Sequence, residues 1–165
     1  MSKLNFAEGY QVVPILPPQD ILLTGTGTDY VKMSSIGMGQ LEIEIYAGNL
    51  GATDSTGNLL VTVQTSTSGD SDATADIAFN YRLSAATGTN TLGTITAATS
   101  AGVAMVSSSA DNKMLLIYVD PAVAGAEYVK AYLQPSTDST ATLVSAVARF
   151  IPRYAQNVQI ASVSS

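Results

Sequence analysis

Glu42 and Glu44 are the residues whose spacing comes nearest to a catalytic pair. Two positions apart on a strand, they point to the same side about 7 Å from each other, a separation close to that of glycosidase carboxylates. Alternating Glu on an exposed face also simply keeps a strand soluble. With Leu41, Ile43 and Ile45 on the opposite face, that solvating role is the reading adopted for both acids. Asp70, Asp72 and Asp76 offer carboxylate oxygens of the kind that Ca²⁺ collects in sets of about six to eight. An EF-hand loop counted from Asp70 would need Gly at its sixth position and Glu at its twelfth, where Ala75 and Tyr81 stand. An acidic hairpin loop is therefore expected, with a weak metal site there left open.

Gly25-Thr26-Gly27 has no third glycine and no following helix, so it reads as a flexible turn and not as a phosphate loop. Eight tyrosines without any Trp are a poor platform for stacking sugars or bases. Tyr46, Tyr81, Tyr118, Tyr128 and Tyr132 all fall in strand-like runs, where packing accounts for them. The chain has no Cys and no His, which removes disulfides, thiolate nucleophiles and the common zinc, copper, haem and iron-sulfur ligand sets. No catalytic residue and no cofactor is assigned.

The polar surface is built from hydroxyls more than from ions. Of 165 residues, 18 are Ser and 18 are Thr, while charged residues make up only 12%, about half the usual share. The net charge of −6 arises entirely in residues 1–82, which carry three basic and nine acidic side chains against four of each in 83–165. Such a chain repels phosphate backbones and has no Lys/Arg cluster to offset this, so no nucleic-acid partner is expected. The N-terminus lacks the apolar stretch of a signal peptide. The longest uncharged run, 83–110, is too rich in Ser, Thr and Gly to span a bilayer as a helix, and no membrane association is expected.

Strand signals dominate the remaining pattern. Leu41 to Tyr46 alternates strictly, and Asp76 to Ser84 repeats the alternation with Ile77, Phe79, Tyr81 and Leu83 on one side. Further runs lie at 60–63, 114–119, 128–133 and 141–150, with weaker ones at 10–16, 21–24, 29–33, 91–97 and 103–107. Gly, Asn and Asp punctuate them at Gly48-Asn49, Gly57-Asn58, Gly69-Asp70 and Asp111-Asn112. The single helical signal is one turn over Asp120 to Gly125, with Asp as N-cap, Pro at the first position and Gly as the stop. Many strands, no long helix and one core predict an all-β chain, an antiparallel two-sheet β-sandwich with jelly-roll-like connections.

Two stretches depart from that pattern. Pro14, Pro17 and Pro18 bar residues 12–18 from a central strand, leaving an extended path or edge pairing. The tail from Pro152 ends in small polar residues. The expected organisation is an N-terminal arm over 1–20, a sandwich over 21–151 and a C-terminal arm over 152–165, the arms ordering only when a partner binds them.

Six segments, running nearly end to end, carry a family resemblance: Lys3-Leu-Asn-Phe-Ala-Glu8 with the prolines after it, Asp29 to Met33, Phe79 to Gly93, Asp111 to Asp120, Glu127 to Lys130, and Pro152-Arg-Tyr-Ala-Gln156. In these the chain resembles a family of small virion proteins of tailed bacteriophages, encoded near the major capsid protein and read as head decoration (cement) proteins. The resemblance implies a non-enzymatic protein on the outer capsid surface, assembled in the host cytoplasm. Its partner would be the major capsid protein lattice, bound by a homo-oligomer, with a trimer favoured. Expected contact residues, for capsid or for a second subunit, are the apolar and aromatic anchors Leu4, Phe6, Tyr10, Ile15, Leu16, Tyr154 and Ile160, with Arg149 and Arg153 setting electrostatic register. The rival expectation is a carbohydrate-binding β-sandwich module of a tail fibre or cell-surface protein.

Overall fold

The computed structural model describes residues 10–21, 25–36, 40–50, 58–69, 75–85, 91–106, 112–136, 142–151 and 163–164. Among these it is all-β, with two antiparallel sheets packed as a sandwich. In chain order the strands are β1 (Gln11–Asp20), β2 (Thr26–Gly27), β3 (Tyr30–Lys32), β4 (Leu41–Ala47), β5 (Asn58–Ser66), β6 (Ala75–Ile77) and β7 (Phe79–Leu83). They continue with β8 (Thr96–Ala98), β9 (Val103–Val106), β10 (Lys113–Val119), β11 (Tyr128–Pro135), β12 (Leu143–Phe150) and β13 (Val163–Ser164). Sheet A runs β1-β12-β4-β10-β7-β8; sheet B runs β13-β3-β11-β5-β6, with β2 also on β11 and β9 also on β5.

The alternating runs bury their aliphatic faces between the sheets. Ile43, Ile45, Leu115 and Ile117 from sheet A meet Val61, Val63, Val129 and Leu133 from sheet B, all fully buried. At about 1.5–3 kcal/mol for each large aliphatic side chain, this interior is the main source of stability. The single helical turn, α1 (Pro121–Ala124), lies where the Asp120-Pro121 and Gly125 signals place it. The Asp120 carbonyl accepts the Ala124 N–H, and Gly125 takes the positive φ that ends the turn.

Three expectations change. Asp76 to Ser84 is not one strand: the chain leaves sheet B after β6 and enters sheet A at β7, with Ala78 as the crossing point. Phe79 is still buried and Ile77, Tyr81 and Leu83 pack against the core, so the alternation holds while the sheet changes. The expected arm over 1–20 is corrected over its second half, because Gln11–Asp20 form β1, the edge strand of sheet A paired with β12. An edge is where three missing N–H groups cost least, and the register slips between Pro14 and Leu16 and again between Leu16 and Gln19. Those slips let the consecutive Ile15 and Leu16 both turn inward. The C-terminal arm is corrected at its end: Val163 and Ser164 pair with Val31 and Tyr30 of the same chain, at the outer edge of sheet B.

Candidate interaction surface

The outward face of sheet A is organised in transverse rows. Val147, Glu44, Leu116 and Arg82 form one row across β12, β4, β10 and β7; Arg149, Glu42, Tyr118 and Asn80 form the next; Ser145, Tyr46 and Met114 form a third. Glu44 lies at the centre of this face with an apolar side chain on either flank. It is only 6% exposed, so the solvating role expected of it is corrected. Both of its carboxylate oxygens are engaged: Arg149 Nη2 lies 2.6 Å from Oε1, and the Tyr46 hydroxyl donates to Oε2 at 2.7 Å. A charge placed between Val147 and Leu116 loses much of its hydration, and a cation plus a donated hydrogen bond replace it. Glu42 is half-buried and keeps access to water.

Burial first, and then the bond to Glu44, hold the Tyr46 phenol above its ordinary range. Among the described residues the two arginines of this face are incompletely satisfied, since the Nε–H groups of Arg149 and Arg82 are buried with no hydrogen-bond partner there. Arg149 is thus paired with its own chain's Glu44.

Where sheet A ends, Pro18 of β1, Leu143 at the start of β12, Tyr46 of β4 and Met114 of β10 wall an open groove of about 500 Å³. Its floor is tied by the Gly48 N–H donating to the Leu143 carbonyl at 2.8 Å and the Asn112 N–H donating to the Gly48 carbonyl at 2.9 Å. Asn112 holds a φ of 55°, a conformation Asn tolerates better than most residues. Among the described residues that line the groove, Lys113 is the one that carries a charge.

On the outward face of sheet B, Tyr30 and Tyr128 meet edge to face at 6.3 Å. Lys130 Nζ lies 4.4 Å from the Tyr30 ring centre and Lys32 Nζ 5.7 Å from that of Tyr128. Lys32 also pairs with Glu127 at 3.3 Å, and that hydrogen bond is the main cause of its raised pKa. The tyrosines here pack as expected, with the lysines neutralising the faces of the rings.

The expected contact residues separate into three groups. Ile15 and Leu16 are core side chains, 1% and 5% exposed, and their assignment as anchors for a partner is corrected. Tyr10 stands exposed at the start of β1. Leu4, Phe6, Arg153, Tyr154 and Ile160 lie outside the described residues, as do Asp70 and Asp72 of the acidic loop. Asp76 is exposed and accepts a hydrogen bond from Gln64 at 3.0 Å. Among the described residues no group of three or more acidic side chains gathers in metal-binding proximity. Sequence reasoning did not identify the groove. Its legible trace was Tyr46, an aromatic on the face otherwise given to Glu42 and Glu44.

Comparisons with protein-family models, with curated proteins and with solved structures find no match.

Proposed function

We propose that this chain is a non-enzymatic structural protein of a bacteriophage virion, one that binds a capsid lattice from outside and stabilises it, working as a homo-oligomer with a trimer favoured. One observation supports a docking role above the others. Of the six exposed large apolar side chains among the described residues, Val12, Tyr46 and Leu143 belong to strands of sheet A, and Tyr10, Ile95 and Ile151 directly adjoin its strands. Tyr10, Val12 and Ile151 gather where β1 begins and β12 ends, because Gln11 pairs with Phe150 and Val12 with Arg149. Apolar side chains concentrated on one face of a rigid sandwich suit a protein partner. The internally neutralised Glu44–Arg149 pair removes an unpaired charge from the middle of that face. The family resemblance of the six sequence segments supplies the nature of the partner.

The test is co-sedimentation with undecorated phage shells. Val12→Arg and Ile151→Asp should leave the fold intact and abolish binding, and deletion of 153–165 should weaken it. Normal binding by all three variants overturns the reading. Binding to host-surface glycans and not to shells would favour the carbohydrate module, for which the half-buried Tyr128 and Tyr132 on the outward face of β11 are the available rings.

A further inference from the structure

We infer that the groove at the end of sheet A receives the N-terminal segment of a second copy of this chain, with Phe6 and Leu4 as its apolar anchors and Glu8 set against Lys113. The groove, at about 500 Å³, falls among clefts that hold ligands, and Tyr46 and Leu143 expose 43% and 50% of their surface along it. Tyr46 is a fixed wall, because its hydroxyl is tied to the buried Glu44. Among the described residues the groove therefore presents a preformed apolar surface with Lys113 as the cation at its rim, and Lys113 has no ion pair there.

The N-terminal segment has the matching chemistry. In extended form Leu4, Phe6 and Glu8 share one face at period two, two apolar side chains followed by an acid. Extended segments laid into apolar grooves are recognised in this way, through alternate side chains.

Chain geometry assigns the segment to another copy. Gln11 lies opposite Phe150 and Gln19 opposite Val144, so the start of β1 and the groove are separated by six residues of β12, about 20 Å. Phe6 precedes Gln11 by five residues, which span at most about 18 Å when fully extended, and turning back along β1 would consume part of that reach. With the turn deducted, that reach falls short of the groove wall at Ser145 and Val144, which favours Phe6 of another copy. The exit point of the segment and its receiving site lie at opposite ends of the β1–β12 ribbon, so the contact is head-to-tail, and copies joined this way close into a ring or continue as a filament. This inference stands apart from the identity of the outer partner and does not need a capsid.

The experiment compares the full chain with the Phe6→Asp and Leu143→Arg variants and with a chain lacking residues 1–9, by light scattering after size-exclusion chromatography. The full chain should run as a closed oligomer. Each alteration should yield a monomer with an unchanged far-ultraviolet spectrum, or a dissociation constant raised about thirtyfold or more. A synthetic peptide of residues 1–9 should bind the truncated protein and shift the amide resonances of Tyr46, Lys113 and Leu143, and the same peptide carrying Phe6→Asp should not. Glu8→Lys and Lys113→Glu should each weaken association about two- to fivefold and restore it when combined. A monomeric full chain, an oligomer that survives loss of residues 1–9, or peptide-induced shifts confined to sheet B overturns the inference.

Discussion

Arg149 stands directly opposite Glu42 across the β4–β12 ladder, yet its guanidinium reaches diagonally to Glu44, with Nη2 2.6 Å from Oε1. The diagonal choice follows hydration. Glu44 lies between Val147 and Leu116 with little water available, whereas Glu42 stays half-exposed, so the cation gains more by neutralising the more desolvated acid.

The two glutamates should therefore differ on mutation. Glu44→Gln should cost about 1–3 kcal/mol, below the full value of a buried pair because Arg149 is a third exposed, and Glu42→Gln should cost under about 0.5 kcal/mol. Urea denaturation of both variants measures this. Equal small losses would return Glu44 to the solvated role.

Tyr46 makes stability pH-dependent at the alkaline end. Its phenol is raised above the ordinary value of about 10, so the folded state holds that proton more tightly than the unfolded chain. The contribution is present below about pH 10 and is lost as pH rises through the higher folded value. Denaturation midpoints taken between about pH 8 and about pH 11 should fall more steeply for the native chain than for Tyr46→Phe. Parallel slopes would place the phenol in water.

Ile15 tests whether the proline-rich stretch belongs to the body. As a core residue only 1% exposed, its replacement by Ala should cost about 2–4 kcal/mol in chemical denaturation. A loss below about 0.5 kcal/mol would make it the surface anchor that its place in the sequence suggested.

Phe79 and Arg82 should behave oppositely although both belong to β7. Phe79→Ala removes a buried ring and leaves a cavity, at a cost of about 3–5 kcal/mol. Arg82→Met keeps the aliphatic stem and deletes a buried Nε–H that has no partner among the described residues, so stability should stay level or rise by up to about 1 kcal/mol. A large loss in Arg82→Met would reveal a partner for that guanidinium.

Alternation at period two is local, and for that reason the sequence alone determined which side chains of β4 and β7 face inward, and placed α1 between Asp120 and Gly125. The missing Cys and His were equally legible, as was the restriction of Pro14, Pro17 and Pro18 to an edge. Only the tertiary structure decided which sheet each strand joins. Most connections cross the sandwich, so strands adjacent in sequence, such as β6 and β7, end in different sheets, and no local pattern records that. Only the register of β4 against β12 and β10 set Val147 and Leu116 beside Glu44 and turned an apparently solvated acid into a buried ion pair. The groove arose in the same way, from four strand ends far apart in the chain, because neighbours across a sheet are chosen by long-range pairing and not by the residues on either side in the sequence.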